Sequence, residues 1–184
     1  YKCAIIHGDP HLGNYSVRKD GSINLLDFGC IRVFKPKFVK GVIDLYFAIQ
    51  NNNEELAIHA YETWGFNNIS KELIDILNIW AKFLYQPLLE NKIRKMQETN
   101  STSYGAEVAS KVHKELKKIG GVRPPQEFVF MDRAAIGLGS VFLHLDAKLN
   151  WYKIFNELID KFTVKQMKQS QKIALKTAKL EENY

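Results

Sequence analysis

The chain has 184 residues, of which 46% are hydrophobic and 25% are charged, and its formal net charge is +6. This composition allows a single domain with a sizeable core. The longest apolar runs fall far short of the roughly 18 to 20 residues that span a bilayer, and the first residues do not resemble a signal peptide, so we predict a cytoplasmic protein. The two cysteines, Cys3 and Cys30, are too few for a disulfide framework and lack the spacing of a zinc site, so both are predicted to be reduced thiols.

The first 35 residues have the pattern of a polar loop followed by a hairpin. The polar segment His7–Asn14 precedes two strand-like segments, Tyr15–Arg18 and Ser22–Leu26. Between the strands lies Asp20-Gly21, which predicts a tight turn because glycine adopts the positive φ that such turns demand. The second strand leads directly into Asp27-Phe28-Gly29.

From Pro36 onward the apolar residues repeat at helical spacing, so we predict a mainly α protein with one small β-hairpin. Ser70 is a predicted N-cap, and Pro87 is expected to kink or end the helix that Ser70 begins. The predicted helices run from Pro36 to the asparagines at 51–53, from Glu54 to Trp64, from Ser70 to Pro87, onward to about Met96, from Tyr104 to Ile119, from about Gln126 to Asp146, and from Asn150 toward Phe162. Loops are predicted at 99–103 and at Gly120-Gly121.

Two features of the helical part have a structural and a functional interpretation. Lysines become more frequent between Lys161 and Lys179, where a solvated helix face is the simpler interpretation and a lipid or nucleic-acid surface is the alternative. The segment Gly137-Leu138-Gly139-Ser140 looks like a glycine-rich nucleotide loop, but it lies within a helical pattern. Its small residues are therefore predicted to allow close helix packing.

Three oxygen-bearing side chains near the start have the order and spacing that phosphoryl transfer uses. They are Asp9, Asn14 five positions later, and Asp27, which precedes Phe28-Gly29. Asp9 is the candidate that orients a hydroxyl nucleophile. Asn14 and Asp27 are the candidate magnesium ligands, because hard divalent ions prefer oxygen. A loop that returns through a hairpin is expected to bring Asn14 and Asp27 to the same edge of the structure.

The segment His7-Gly8-Asp9-Pro10-His11-Leu12-Gly13-Asn14, followed by Asp27-Phe28-Gly29, resembles the hallmark of the AarF/UbiB family of atypical kinases. Leu12 departs from the hallmark, which has a second proline there, but this change removes no candidate ligand. Asp132-Arg133 and Leu149-Asn150-Trp151 are similar to elements of the family's late helical region.

This resemblance implies the C-terminal lobe of a protein-kinase-like fold over residues 1–184. Residues 1–35 would hold the catalytic loop, the hairpin and the Asp-Phe-Gly segment, and residues 36–184 would form the helical part. The family's upstream lobe has an alanine-rich nucleotide loop and a lysine paired to a glutamate, and we find neither in the sequence. We therefore expect that the N-terminal lobe is missing and that the chain alone is inactive.

The resemblance also implies a magnesium-dependent ATP phosphotransferase or ATPase linked to quinone biosynthesis. Phe28 and Gly29 would lie beside the nucleotide, and His11 would either contact a phosphate or fix the loop. Gly8 stands where protein kinases have an arginine, and residues 29–36 are too few for a peptide-docking loop. A small molecule or a lipid headgroup is thus the favoured substrate, peripheral membrane contact is allowed, and no nucleic-acid partner is predicted.

Three alternatives remain open from the residues. The first is a relative of the aminoglycoside and choline phosphotransferases, whose loops share the His-Gly-Asp and Asn pattern. The second is a nucleotide-binding pseudokinase that regulates a partner. The third is a hydrolase in which His7, Asp9 and His11 bind a metal, but Pro10 and Gly13 favour a loop over the extended strand that this cluster requires. In the kinase-like interpretation, His7 packs beneath the site.

Overall fold

The chain folds into helices that follow a small β-rich segment. The computed structural model describes residues 1–96, 104–119 and 125–180. Its strands are β1 (Ile5–His7), β2 (Tyr15–Val17), β3 (Ile23–Leu25), β4 (Ile31–Val33), β5 (Arg94–Lys95) and β6 (Lys148–Leu149). Its helices are α1 (Pro36–Asn51), α2 (Glu54–Thr63), α3 (Lys71–Leu89), α4 (Tyr104–Lys118), α5 (Gln126–His144), α6 (Trp151–Ile159) and α7 (Val164–Thr177). The prediction of a mainly α fold is confirmed, and it agrees with a helical kinase-like lobe.

The strands form three separate antiparallel ribbons. The predicted hairpin is confirmed: β2 pairs with β3 in the register Tyr15 to Leu25, and Gly21 in the turn has a φ of 82°. The ribbon of β1 and β4 pairs Ile5 with Val33, so that it encloses the polar loop and the hairpin between its two strands. No pattern in the sequence indicates this pairing.

Side-chain caps begin several helices where the sequence predicts them. Asn52 adopts the left-handed conformation that ends α1, and Asn53 then accepts a hydrogen bond from the Leu56 N–H at 3.0 Å. Ser70 caps α3 through a 3.2 Å bond from the Leu73 N–H. Asn150 caps α6 in the same way. The cap residues therefore fix the boundaries that the apolar periodicity alone leaves open.

The main core lies where α1 packs against α2, α3 and α7. Tyr46 and Tyr61 are fully buried, and the Tyr61 hydroxyl donates to the Asn78 side chain at 2.9 Å. Trp64 donates its indole N–H to the Phe38 carbonyl at 3.0 Å, which ties the end of α2 to α1. These bonds satisfy polar groups that burial would otherwise leave without partners. A smaller apolar cluster joins α3 to α4 around Ile76, Trp80 and Val112.

The prediction of a helix between Pro87 and Met96 is wrong. α3 continues two residues beyond Pro87 and ends at Leu89, and Arg94–Lys95 then pairs with β6. The Trp151 indole N–H donates to the Arg94 carbonyl at 2.9 Å, which holds this segment extended. A long-range partner therefore decides its structure.

Other expected boundaries shift slightly or fall outside the described residues. α5 ends at His144, and Asp146 has a φ of 49°, so the helix stops just before the predicted end. The predicted loop at 99–103 and the stop at Gly120-Gly121 lie outside the described residues. Among the helices of the described ranges, none combines the length and the apolar character that crossing a membrane requires.

Candidate active site

The candidate site is a loop held between the two strands of the β1–β4 ribbon. The Gly8 N–H donates to the Cys30 carbonyl at 2.7 Å, directly beyond the last ladder pair. A Cβ on residue 8 would lie 2.9 Å from this carbonyl oxygen, so only glycine fits the close approach of the two segments. Leu12–Asn14 then form a short 3₁₀ turn before β2 begins.

His7 joins the loop to the segment that follows the hairpin. Its Nε2 lies 2.6 Å from the Asp27 carbonyl oxygen, and its Nδ1 accepts the Asp9 N–H at 3.2 Å. A carbonyl only accepts, so these two bonds assign the proton to Nε2 in the neutral ring. One imidazole therefore fixes the backbone of both candidate carboxylate residues.

The bonds of His7 also argue against the metal-binding cluster considered above. Both of its ring nitrogens already have partners within the fold, so neither is available as a ligand. Among the residues that the structure describes, no three histidine, cysteine, aspartate or glutamate side chains are grouped to hold a metal ion. His7 is therefore not placed as a metal ligand, whereas His11 keeps an exposed Nε2 beside Asp9.

Asn14 is a buried polar residue at the end of the loop. It is 7% exposed, and its Nδ2 donates to the Asp9 carbonyl at 2.9 Å. Its own carbonyl accepts the Leu26 N–H at 2.9 Å, which brings the Asn14 backbone next to the residue that precedes Asp27. Because the amide nitrogen faces Asp9, the amide oxygen is the atom left to bind a ligand.

Asp27 begins an exposed turn. Its Oδ1 accepts the Gly29 N–H at 2.7 Å, so the side chain orders the Asp27-Phe28-Gly29 backbone while Oδ2 stays available. Asp27 and Gly29 are exposed, and Phe28 is 64% exposed although it is a large apolar residue. This apolar exposure next to a carboxylate marks a face suited to further contacts.

Asp9 and His11 face each other at the rim of the loop. His11 Nε2 lies 3.8 Å from Asp9 Oδ2, and both side chains are about half exposed. His11 Nδ1 accepts the Gly13 N–H at 3.0 Å, which fixes the ring against the loop. The pKa of the Tyr15 phenol is raised, mainly by partial burial and to a smaller extent by the nearby charge of Asp9. The structure thus gives His11 a loop-fixing bond and also leaves it exposed beside Asp9.

Helix α5 supports the loop from a distant part of the sequence. The Cα of Gly137 approaches Pro10 so closely that a Cβ there would lie 3.1 Å from two atoms of the proline ring. About two turns earlier, Phe130 lies beneath the Arg32 guanidinium of β4, 4.4 Å from the ring centroid. The prediction of close packing is therefore correct for Gly137 but not for Gly139, and the partner of Gly137 is the candidate loop and not another helix.

A buried carboxyl links α5 to α3. Asp132 Oδ1 accepts the Trp80 indole N–H at 2.6 Å. Burial raises the pKa of Asp132 to about 6, although the bond from Trp80 opposes this rise. Because α3 belongs to the core, this bond contributes to holding α5 against the loop.

We expect Gly137→Ala to destabilise the protein relative to Gly139→Ala. Alanine favours a helix over glycine by about 1 kcal/mol, and a Cβ at residue 139 meets no atom within 4 Å, so Gly139→Ala should be stabilising. At residue 137 the added methyl must displace Pro10, so the gain should be lost, with a difference of about 1–2 kcal/mol between the two variants. Urea denaturation of both variants measures this difference. Equal stabilisation would show that Pro10 yields without cost.

The structure also contains a cavity that none of the candidate residues lines. Its volume is about 1040 Å³, and it lies between the first three residues, α6 and the start of α7. Tyr1, Tyr152 and Gln166 are among its lining residues. In the candidate active site, Asp27 is exposed, Asp9 is partly exposed and Asn14 is buried.

Comparison with protein families matches residues 1–61 to the ABC1 atypical kinase-like domain. No curated protein and no solved structure matches the chain. The matched residues contain the loop, the hairpin, the Asp27 turn, α1 and most of α2. The match thus supports a kinase-like family at a coarse level, over the same residues that form the candidate site. Domains of this class generally use ATP and magnesium.

Proposed function

We propose that the protein is the helical lobe of a magnesium-dependent ATP phosphotransferase or ATPase of the AarF/UbiB type. The main support is the bonding of His7, which joins the backbone of Asp9 to that of Asp27 within residues that match a kinase-like domain. Phosphoryl transfer depends on holding such groups in fixed positions, because positioning and charge stabilisation provide most of the catalysis.

Asn14 and Asp27 are the proposed magnesium ligands. The residues fit this ion, since the Asn14 amide nitrogen is occupied by Asp9 and the Asp27 Oδ1 by Gly29, which leaves one oxygen on each side chain. When bound, magnesium would neutralise phosphate charge and orient the nucleotide. Phe28 and Gly29 would then lie beside the nucleotide.

Asp9 is the proposed carboxylate that orients the nucleophile. Its side chain is half exposed, and its backbone is fixed from both sides by His7 and Asn14. A carboxylate on such a rigid support can accept the proton of a hydroxyl group or a water molecule. His11 lies at the same rim, where it fixes the loop and can contact a phosphate oxygen.

We further propose that residues 1–184 act together with an N-terminal lobe that covers this face. Large apolar side chains on the hairpin and on the Asp27 turn meet solvent in the described structure. The exposed group consists of Val17, Ile23, Leu26 and Phe28. A second lobe would bury these side chains and exclude water from the phosphates, which strengthens electrostatic interactions in the site.

The proposed substrate is a small molecule or a lipid headgroup in quinone biosynthesis. α1 begins at Pro36, only seven residues after Gly29, so the described chain has no long docking loop for a peptide at this point. This part of the proposal includes peripheral contact with a membrane, and it rests on the resemblance of the loop to the AarF/UbiB hallmark.

Calorimetric titration with magnesium-ATP, combined with a phosphate-release assay, tests the proposal. The natural full-length protein should bind ATP only with magnesium and should turn it over. The 184-residue chain alone should bind weakly or not at all. Absence of magnesium-dependent binding in the full-length protein would contradict the proposed function, and binding without turnover would identify a pseudokinase. Micromolar binding with turnover by the chain alone would show that this lobe suffices.

A further inference from the structure

Helix α7 presents a row of lysines that the candidate site does not use. Lys165, Lys168, Lys172 and Lys176 form this row, which we call the basic stripe. At 100° per residue their positions fall within an arc of about 80° on one face of the helix. All four are exposed, and residues 164–180 contain no aspartate or glutamate.

The other side of α7 fixes the helix to the fold. Met167 is 2% exposed within the main core. Gln171 Nε2 donates to the carbonyls of Cys3 at 3.0 Å and Phe34 at 2.8 Å, which flank the β1–β4 ribbon. The basic stripe therefore projects outward from a helix whose orientation is set.

The positive charge of the basic stripe is not neutralised by the rest of the described chain. Across residues 1–96, 104–119 and 125–180, the ion pairs involve other cations, and none includes the four stripe lysines. Like charges at this spacing repel one another slightly, so the stripe costs stability in isolation. An anionic partner would remove that cost.

The composition of the helix distinguishes between anionic partners. Residues 164–180 contain neither arginine nor an aromatic residue, whereas nucleic-acid sites rely on arginine forks and aromatic stacking. Two apolar residues are more than half exposed, namely Ile173 on α7 and Leu180 three residues after its end. Lysine charge combined with exposed aliphatic side chains suits the headgroup region of a bilayer.

We propose that the basic stripe binds the surface of an anionic phospholipid bilayer. This inference assigns a surface to the membrane contact in the proposed function. It rests on that membrane contact and not on the proposed roles of Asp9, Asn14 and Asp27, because α7 lies outside the candidate site. The hydrogen bonds of Gln171 hold the β1–β4 ribbon next to α7, so the ribbon would lie close to the membrane that α7 binds. The loop residue Asp9 is six residues beyond Cys3, about 20 Å along an extended chain.

Vesicle co-sedimentation without nucleotide tests this inference on the whole 184-residue chain. The protein should bind vesicles of phosphatidylcholine with about 30% phosphatidylserine, should not bind pure phosphatidylcholine, and should dissociate at high salt. Replacing all four stripe lysines by glutamine should lower the partition coefficient by up to about 1,000-fold. The matched control replaces four exposed lysines on other elements by glutamine, namely Lys35, Lys71, Lys82 and Lys111.

The control variant removes the same charge, so it should change the partition coefficient by less than about threefold. An equal loss in both variants would overturn the inference, because net charge alone would then explain binding. Failure of the wild-type chain to bind phosphatidylserine vesicles, or tighter binding to duplex DNA than to vesicles, would also overturn it. Since no nucleotide is present, none of these outcomes bears on Asp9, Asn14 or Asp27.

Discussion

Asp27→Asn is expected to abolish magnesium-dependent ATP binding in the protein that includes the proposed N-terminal lobe. The substitution removes the charge that attracts the dication but keeps an Oδ1 that can accept the Gly29 N–H, so the turn should persist. Loss of a partner that only supports a ligand already costs 10- to 100-fold in metal affinity. We therefore expect a loss of at least about 100-fold for the proposed ligand itself, and less for Asn14→Ala, which removes a neutral ligand.

Asp20→Asn is the matched control for this prediction. Asp20 lies on the same hairpin, is exposed, and accepts the N–H of Ser22 two residues later at 3.0 Å, just as Asp27 accepts that of Gly29. Calorimetric titration of magnesium-ATP should find the control unchanged. An unchanged magnesium titration in Asp27→Asn would contradict the assignment of the ligand.

Asp9→Asn is expected to preserve ATP binding and to remove turnover. A group that orients the nucleophile acts mainly in the transition state, so its loss should appear in kcat rather than in affinity. The expected decrease in kcat is about 10²- to 10⁴-fold, the usual contribution of a proton acceptor in such a position. The loop should survive, because Asn14 binds the backbone carbonyl of Asp9 and not its side chain.

The comparison for this variant is Asp75→Asn, which makes the same charge change at an exposed position on α3. It should match the wild-type protein in phosphate release, in affinity for magnesium-ATP and in thermal stability. If Asp9→Asn turned over ATP at the wild-type rate, the Asp9 carboxylate would have a structural role only. If it lost affinity and stability together, the loop would depend on the charge of Asp9 for its folding.

Local signals account for the parts of the fold that could be predicted from the sequence. Gly21 supplies the positive φ of the hairpin turn, and Ser70 and Asn150 are caps whose side chains bond within their own helix. Each of these signals acts over two or three residues, so it is visible in the sequence itself. Long apolar helices such as α3 were predicted for a related reason, since their periodicity repeats over many turns.

The features that could not be predicted depend on residues far apart in the sequence. The β1–β4 ribbon pairs Ile5 with Val33, and two strands of three residues offer no pattern that selects this partner. Arg94 is buried because Trp151 and β6 hold its backbone, whereas its own segment looked helical. Long-range pairing overrides local preference in such short segments.

The candidate site also combines features that the sequence predicts with features that it does not. The spacing of Asp9, Asn14 and Asp27 was visible in the sequence. A packing role for His7 was predicted, but the two bonds through which its ring joins both carboxylate segments were not. The contact of Gly137 with Pro10 was also missed, although a glycine pair within an apolar helix does signal a close neighbour.

The bonds of Gln171 have a consequence for the order in which the protein is made. Gln171 lies 168 residues after Cys3 and 137 residues after Phe34, yet it binds the carbonyls of both. At 5–20 residues per second, a ribosome needs roughly 7–34 s to add the intervening chain. Throughout that interval the nascent β1–β4 ribbon lacks its helical brace, so the candidate loop is synthesised well before the helix that secures it.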